Sequence, residues 1–120
     1  MGKADKARAL GYSESSIDLW GLHYFDPRVV PIWKQAVNGL GHLALALPLG
    51  IGGALFGWSW FQCAMAGVAG LMIREVHQVL KSDKPHLLDR LRDCAEGGIG
   101  GYTGYWVGLG IAQVMGVTII

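Results

Sequence analysis

The chain carries the sequence GGIGGYTGYWVGLGIAQVMGVTII at residues 97–120. This stretch contains no Asp, Glu, Lys or Arg. About 20 apolar residues in a helix suffice to cross a hydrocarbon core of roughly 30 Å. The stretch therefore predicts one membrane-spanning helix, at about residues 97–119.

A second charge-free stretch extends from Gln35 to Ile73. It is too long for one membrane span and has about the right length for two. Residues 57–60 predict the turn between them, because glycine and serine there accompany two tryptophans that favour the headgroup level. We therefore predict spans at about residues 36–56 and 61–80, with a bend at Pro48 in the first.

The composition favours lipid as the solvent for most of the chain. Of the 120 residues, 52% are hydrophobic and 16% are charged, whereas soluble domains carry about 25% charged residues. The net charge of +1 indicates no clustered basic surface for nucleic acid. We predict an all-α polytopic membrane protein with a three-helix membrane domain at residues 31–120, preceded by a polar tail and an interfacial segment in residues 1–30. Its expected partners are the lipid bilayer and either a second copy of the chain or another membrane protein.

The region before the first span divides into two parts. Residues 2–16 are polar and mixed in charge, which predicts a loosely ordered tail. Residues 17–25 are rich in aromatics but too short to cross a bilayer, so they predict an interfacial segment. Asp26 followed by proline predicts a helix start with a capping carboxylate. Pro31 marks either a second start or a kink.

The charged residues predict the orientation in the membrane. All ten Lys and Arg residues lie before the first span or between residues 74 and 96. Residues 82–85 predict a helix break, followed by a short amphipathic cytoplasmic helix at about residues 85–96. Because positive residues favour the cytoplasmic side, we predict a cytoplasmic N-terminus and a C-terminus outside. The expected location is a bacterial inner membrane or a viral membrane.

Glycine accounts for 19 of the 120 residues and recurs at helical spacing. In the third span, glycines repeat every four residues on one row and adjoin a second row, and a shorter pair occurs in the first span. The set comprises Gly97, Gly100, Gly101, Gly104, Gly108, Gly53 and Gly57. Such small-residue stripes let two helix backbones approach closely. They predict either helix packing within one chain or a face for self-association.

Polar residues gather near one predicted membrane surface, where charged groups are costly and mark candidate sites. This polar layer comprises His42, Arg74, Glu75, His77, Gln78, His86, Asp89, Asp93 and Glu96. The last four are three, four and three residues apart, which puts them on one helix face. Glu75 and His77 point apart. The candidate catalytic residues are Glu75, Asp89, Asp93 and His42.

Two interpretations of the polar layer remain open. A metal site is conceivable, with imidazole from His42 and a carboxylate from Glu75, Asp89 or Asp93. The structural alternative pairs these carboxylates with arginines at the lipid boundary, the arginines being Arg74, Arg90 and Arg92. Because no clustered metal-binding motif is present, we predict no metal and no cofactor.

The order of four motifs resembles that of a known family. The motifs are Gly41-His42, Arg74-Glu75-Val76-His77-Gln78, Leu88-Asp89 and Glu96-Gly97-Gly98-Ile99-Gly100-Gly101. They resemble the small VanZ-like membrane proteins and related short membrane proteins of bacteriophage genomes, over about residues 39–104. VanZ-like proteins usually carry an Asn shortly after the Asp, where this chain has Asp93 and Glu96. The resemblance implies an envelope protein, in some members linked to glycopeptide resistance.

These features predict two classes of function. The first is a non-catalytic protein of a bacterial or phage envelope that acts through helix packing or self-association, in a structural or holin-like role. The alternative is a VanZ-like protein that binds or modifies a lipid or envelope component through its cytoplasmic-side polar layer. We favour the first, and therefore a protein without catalytic activity.

Overall fold

The computed structural model describes residues 2–82 and 84–116, and within this part of the chain every regular element is helical. Four α-helices are present: α1 at Lys3–Ala9, α2 at Ile32–Leu55, α3 at Trp60–Ser82 and α4 at Leu87–Met115. A π-helical turn at Ser16–Trp20 and a 3-10 turn at Leu22–Phe25 lie between α1 and α2. The all-α prediction is confirmed.

The helix α2 begins after Pro31 and runs through Pro48 without interruption. Pro31 is therefore the start that the sequence left open, and the start predicted at Asp26 is wrong. The Asp26 carboxylate instead accepts hydrogen bonds from the Arg28 backbone and guanidinium, and its carbonyl accepts from Val29 and Val30 in a tight turn. A helix could not continue from there, because Pro31 disfavours helical backbone at the residue before it.

The helix α4 combines two elements that the sequence predicts as separate. The short amphipathic helix at residues 85–96 and the span at residues 97–119 form one continuous helix from Leu87 to Met115, and residues 117–119 lie outside the described residues. No proline or turn signal occurs at the boundary between the two predicted elements, which lies between Glu96 and Gly97. Glycine lowers helix propensity, but here packing against two neighbouring helices stabilises the helical backbone.

The glycine rows of α4 are buried against the other two long helices of the same chain. A Cβ built at Gly104 would lie 2.9 Å from the Cα of Gly50 in α2. One built at Gly101 would lie 3.2 Å from the Cα of Ala64 in α3. The row of Gly100, Gly104 and Gly108 thus faces α2, and the row of Gly97 and Gly101 faces α3. Helix packing within the chain is what these glycines serve.

The two glycines predicted for packing in α2 behave differently. A Cβ at Gly53 would meet the side chains of Trp58 and Cys63, at 2.7 and 2.8 Å. Gly57, by contrast, is exposed and has φ +86°, so its role as a packing residue is wrong. It ends α2 in the left-handed conformation that glycine adopts most readily.

The N-terminal residues are ordered by packing rather than forming a loose tail. Ala7 of α1 is fully buried in a small apolar cluster with Ile17, Val29 and Val30. The Tyr12 hydroxyl donates a hydrogen bond of 2.7 Å to the Asp26 carboxylate. The sequence prediction missed this because the contact residues of α1, Ala4 and Ala7, are small and give only a weak apolar signal.

The aromatic segment at residues 17–25 is held against the start of α4. Gly21 has φ +66° and packs so closely that its missing Cβ would lie 2.9 Å from the Cβ of His86. The backbone N–H of His86 donates to the carbonyl of Asp18 at 3.1 Å, and the His86 ring stacks edge-on against His23 at 5.9 Å. His23 is buried, and burial lowers the pKa of both histidines.

We expect Gly104→Ala to destabilise the protein and Gly110→Ala to leave its stability nearly unchanged. A methyl group at Gly104 collides with the α2 backbone, whereas nothing lies within 4 Å of a Cβ at Gly110 in the same helix. Overpacking of this kind costs about 1–3 kcal/mol. Thermal unfolding in detergent measures the difference. A loss that depends on protein concentration would contradict packing within one chain.

We expect acidification to release residues 17–25 from α4. A histidine with a lowered pKa in the packed state favours its neutral form. The released state therefore takes up the proton first, and packing is lost as the pH falls below about 6.5. Hydrogen exchange of residues 17–25 between pH 7.5 and 5 measures the release.

The His23→Phe/His86→Asn double variant should remove this pH dependence, and asparagine tolerates the left-handed backbone at position 86. His77→Gln, at an exposed histidine of α3, is the matched control and should keep the profile. An unchanged profile in the double variant would assign the transition to other groups.

Candidate functional site

A polar cavity of about 220 Å³ lies at the end of the bundle that carries the charged residues. All three long helices contribute side chains to it, and so do Lys3 and Tyr24 of the N-terminal region. The members of the predicted polar layer that line it are His42, Arg74, Gln78, Asp89, Asp93 and Glu96. The structure therefore brings most of that layer together around one space.

The glycine rows of α4 explain how its carboxylates reach the cavity. Glu96 lies four residues before Gly100, on the row that faces α2, and Asp93 lies four residues before Gly97, on the row that faces α3. Residues four apart share a helix face. The same rotation of α4 that packs its glycines thus directs Glu96 toward His42 of α2, and Asp93 toward Glu75 of α3.

His42 lies at the centre of the cluster. Its Nδ1 is 3.0 Å from Oε1 of Glu96 and 3.3 Å from Oδ1 of Asp93, and its Nε2 is 3.4 Å from Nη1 of Arg74. Because a guanidinium only donates, Nε2 accepts and Nδ1 carries the proton. Glu96 reaches the imidazole across Gly39, where any side chain would collide with it.

Glu75 is buried and bound by two arginines. Its Oε1 accepts a hydrogen bond from Nη1 of Arg74 at 3.1 Å, and its Oε2 accepts one from Nη1 of Arg90 at 2.7 Å. Arg90 also donates to the carbonyl of Pro85 at 2.7 Å and to Gln78 at 3.1 Å. Arg90 therefore ties α3, the connection after it and α4 to one carboxylate.

Asp93 is buried without an arginine or lysine partner among the described residues. Burial, a hydrogen bond with Glu75 and the neighbouring charges of Asp89, Glu75 and Glu96 raise the pKa of Asp93 to about 8. The carboxyl group is therefore largely protonated at neutral pH and able to share its proton with Glu75.

Arg92 links the cavity to the N-terminal segment. Its guanidinium donates to Asp89 at 2.7 Å and to Gln35 at 3.0 Å, and it lies 4.1 Å from the centre of the Phe25 ring. Such cation–π contact adds to the ion pair. The predicted pairing of arginines with carboxylates thus holds for Glu75 and Asp89, whereas Asp93 faces His42 instead.

Two members of the predicted layer lie elsewhere. His77 is exposed, because two positions from Glu75 on a helix it points the opposite way. His86 precedes α4, with φ +43°, so the helical spacing from Asp89 does not apply to it. Conversely, Gln35 and Asn38 line the cavity but were not singled out from the sequence. Their spacing from His42, seven and four residues, is the signal that places them on its helix face.

The cluster of His42, Glu75 and Asp93 is able to exchange protons or to bind a cation. One donor atom from each of His42, Glu75 and Asp93 lies within 4.8 Å of the others. An imidazole and two carboxylates are suitable ligands for a divalent metal. Cys63 and Cys94 are free thiols.

No protein-family model, curated protein or solved structure matches the chain. The resemblance to VanZ-like proteins therefore rests on the sequence motifs alone. The function must be inferred from the cavity and from the surfaces of the helices.

We expect Arg90→Gln to destabilise the protein far more than Arg74→Gln. Both arginines donate to Glu75, but the Arg90 side chain is 14% exposed and that of Arg74 is 42% exposed. Breaking a buried ion pair costs about 3–5 kcal/mol, whereas a solvated pair contributes up to about 1 kcal/mol. Thermal or denaturant unfolding of each variant in detergent measures the losses. Equal losses would show that burial does not govern these pairs.

Proposed function

We propose that the chain is an integral membrane protein of a bacterial or phage envelope, and that its cavity binds the headgroup of a phosphate-bearing lipid. In this proposal α2, α3 and the glycine-rich part of α4 each cross the bilayer. By length and hydropathy, α2 alone among the described helices qualifies as a span, with only 17% of its apolar window buried inside the chain. So little burial favours lipid, rather than protein, around α2.

The exposed faces of α3 and α4 support two further spans. They carry large apolar side chains that the rest of the chain leaves exposed, and that would face water if the protein were not in a membrane. Examples are Phe61, Met65, Met72, Ile73, Ile99, Tyr102 and Trp106. The helix α4 is rich in glycine and also carries Tyr102, Tyr105 and Trp106. These residues add little to a hydropathy average, yet they suit helix contacts and interfaces in a membrane.

The position of the cavity is the observation that carries the ligand proposal. It lies at the charged end of the three helices, at the depth where lipid headgroups would lie in this orientation. Arg74, Arg92 and Lys3 line it and could donate to phosphate oxygens, as arginine and lysine do in phosphate sites. Asp89 and Glu96 offer acceptors for an amine or hydroxyl on the same headgroup. The VanZ-like resemblance points to the same class of lipid- or envelope-related protein.

The burial of the glycine rows makes self-association the weaker alternative. Those rows already contact α2 and α3 within one chain. A holin-like assembly would need a face other than these buried rows. Lipid binding, by contrast, requires only the cavity that is already present in the folded chain.

We expect Arg74→Gln to weaken phospholipid binding about tenfold, because a hydrogen bond to a charged group contributes about 1.5–3 kcal/mol. Lys81→Gln, which removes an exposed cation of α3 outside the cavity, should bind as the original chain does. Native mass spectrometry of delipidated protein with added phosphatidylglycerol or phosphatidylethanolamine measures the affinity. Diacylglycerol, which lacks the phosphate, is the reference ligand. Equal retention of diacylglycerol, or unchanged binding by Arg74→Gln, would contradict the proposal.

A further inference from the structure

We propose that His42, Glu75 and Asp93 form a binding site for a divalent first-row transition-metal ion such as Zn²⁺, with Glu96 as a fourth ligand. One donor atom from each of the first three lies within 4.8 Å of the others. Ligand atoms around a four-coordinate zinc ion lie about 3.4 Å apart, as bonds of about 2.1 Å require. The Nδ1 atom of His42 is already 3.3 Å from Asp93 and 3.0 Å from Glu96. These two distances already match the spacing of ligand atoms around zinc.

The buried carboxyl group of Asp93 is the independent reason to expect a cation. It is 8% exposed, and no lysine or arginine of the described residues forms an ion pair with it. Its neighbours are the carboxyl groups of Glu75 and Glu96 and the imidazole of His42. Buried carboxylates are paired with cations, protonated or coordinated to metal. A divalent ion placed between these groups would offset the negative charge of the carboxylates that coordinate it.

Arg74 would have to move away before a metal could bind. Its Nη1 contacts both Nε2 of His42 and Oε1 of Glu75. When a metal binds Nδ1, the neutral ring carries its proton on Nε2, and Arg74 must withdraw from there. The Arg74 side chain is 42% exposed and can therefore turn toward solvent. Arg90 keeps its hydrogen bond to Oε2 of Glu75 and holds that carboxylate in place.

The mixture of ligands selects the class of metal. One imidazole with carboxylate oxygens suits zinc, manganese or iron(II), whereas calcium and magnesium prefer oxygen ligands alone. This site does not depend on lipid binding, since the four ligands all come from the chain. The sequence predicted no metal, because the close approach of His42, Glu75 and Asp93 depends on how the helices pack.

The test uses the full chain, purified in detergent without a histidine tag and treated with chelator. Isothermal titration calorimetry with Zn²⁺ should show one ion bound per chain. Addition of Co²⁺ instead should give the visible absorption bands of a coordinated cobalt ion. Asp93→Asn keeps the side-chain volume and should weaken Zn²⁺ binding at least tenfold. His77→Gln, at a histidine outside the cluster, should bind as the original chain does.

Thermal unfolding of the Asp93→Asn variant without metal shows whether this variant is folded. If it is not folded, Glu96→Gln replaces it as the ligand variant. Absence of Zn²⁺ binding by the original chain, or full binding by the folded ligand variant, would overturn the proposal. A loss in His77→Gln as large as in Asp93→Asn would also overturn it. Arg74→Gln separates the two proposals, because it should weaken lipid binding but not Zn²⁺ binding.

Discussion

The close approach of the α4 backbone to α2 and α3 is the constraint on which the rest of the molecule depends. Gly104 lies against Gly50, and Gly101 against Ala64, at distances that leave no room for a Cβ. Contacts this close allow α4 only one rotation about its axis. If the helices lie in lipid, as proposed, they gain little from burying apolar surface against each other, and such van der Waals contact becomes a main source of their association.

That rotation has consequences beyond packing. The two glycine rows continue toward the N-terminus of α4 as Glu96 and Asp93, so the carboxylates enter the same helix contacts at the charged end of the bundle. There Glu96 contacts His42, and Asp93 lies against Glu75. Close backbone packing in one half of the helix thus creates a cluster of acidic groups in the other half. Arg90 and Arg92 offset part of this charge, and they join the cluster to the connection before α4 and to the N-terminal segment.

Local patterns predicted the elements better than the connections between them. The charge-free stretches indicated α2, α3 and the C-terminal half of α4, because long apolar runs are visible without tertiary context. The short helix α1 was missed, because its contact residues, Ala4 and Ala7, are small and give only a weak apolar signal. The division of α4 near residue 96 was wrong, because a change from charged to apolar residues marks a change of environment and not an end of helix. Gly57 was assigned to packing from its spacing alone, although its positive φ places it in the turn.

The sequence by itself determined the helical class, the segregation of charge to one end of the chain's helices, and the shared face of Asp89, Asp93 and Glu96. These follow from composition and from the period of a single helix. The tertiary structure decided which helix each face meets: glycines against α2 and α3 of the same chain, His42 between Asp93 and Glu96, and Asp93 without an arginine or lysine partner among the described residues. Helical period fixes directions only relative to one axis. The distances between side chains on different helices depend on how closely those axes approach, and here the contacts made by the buried glycines set that approach.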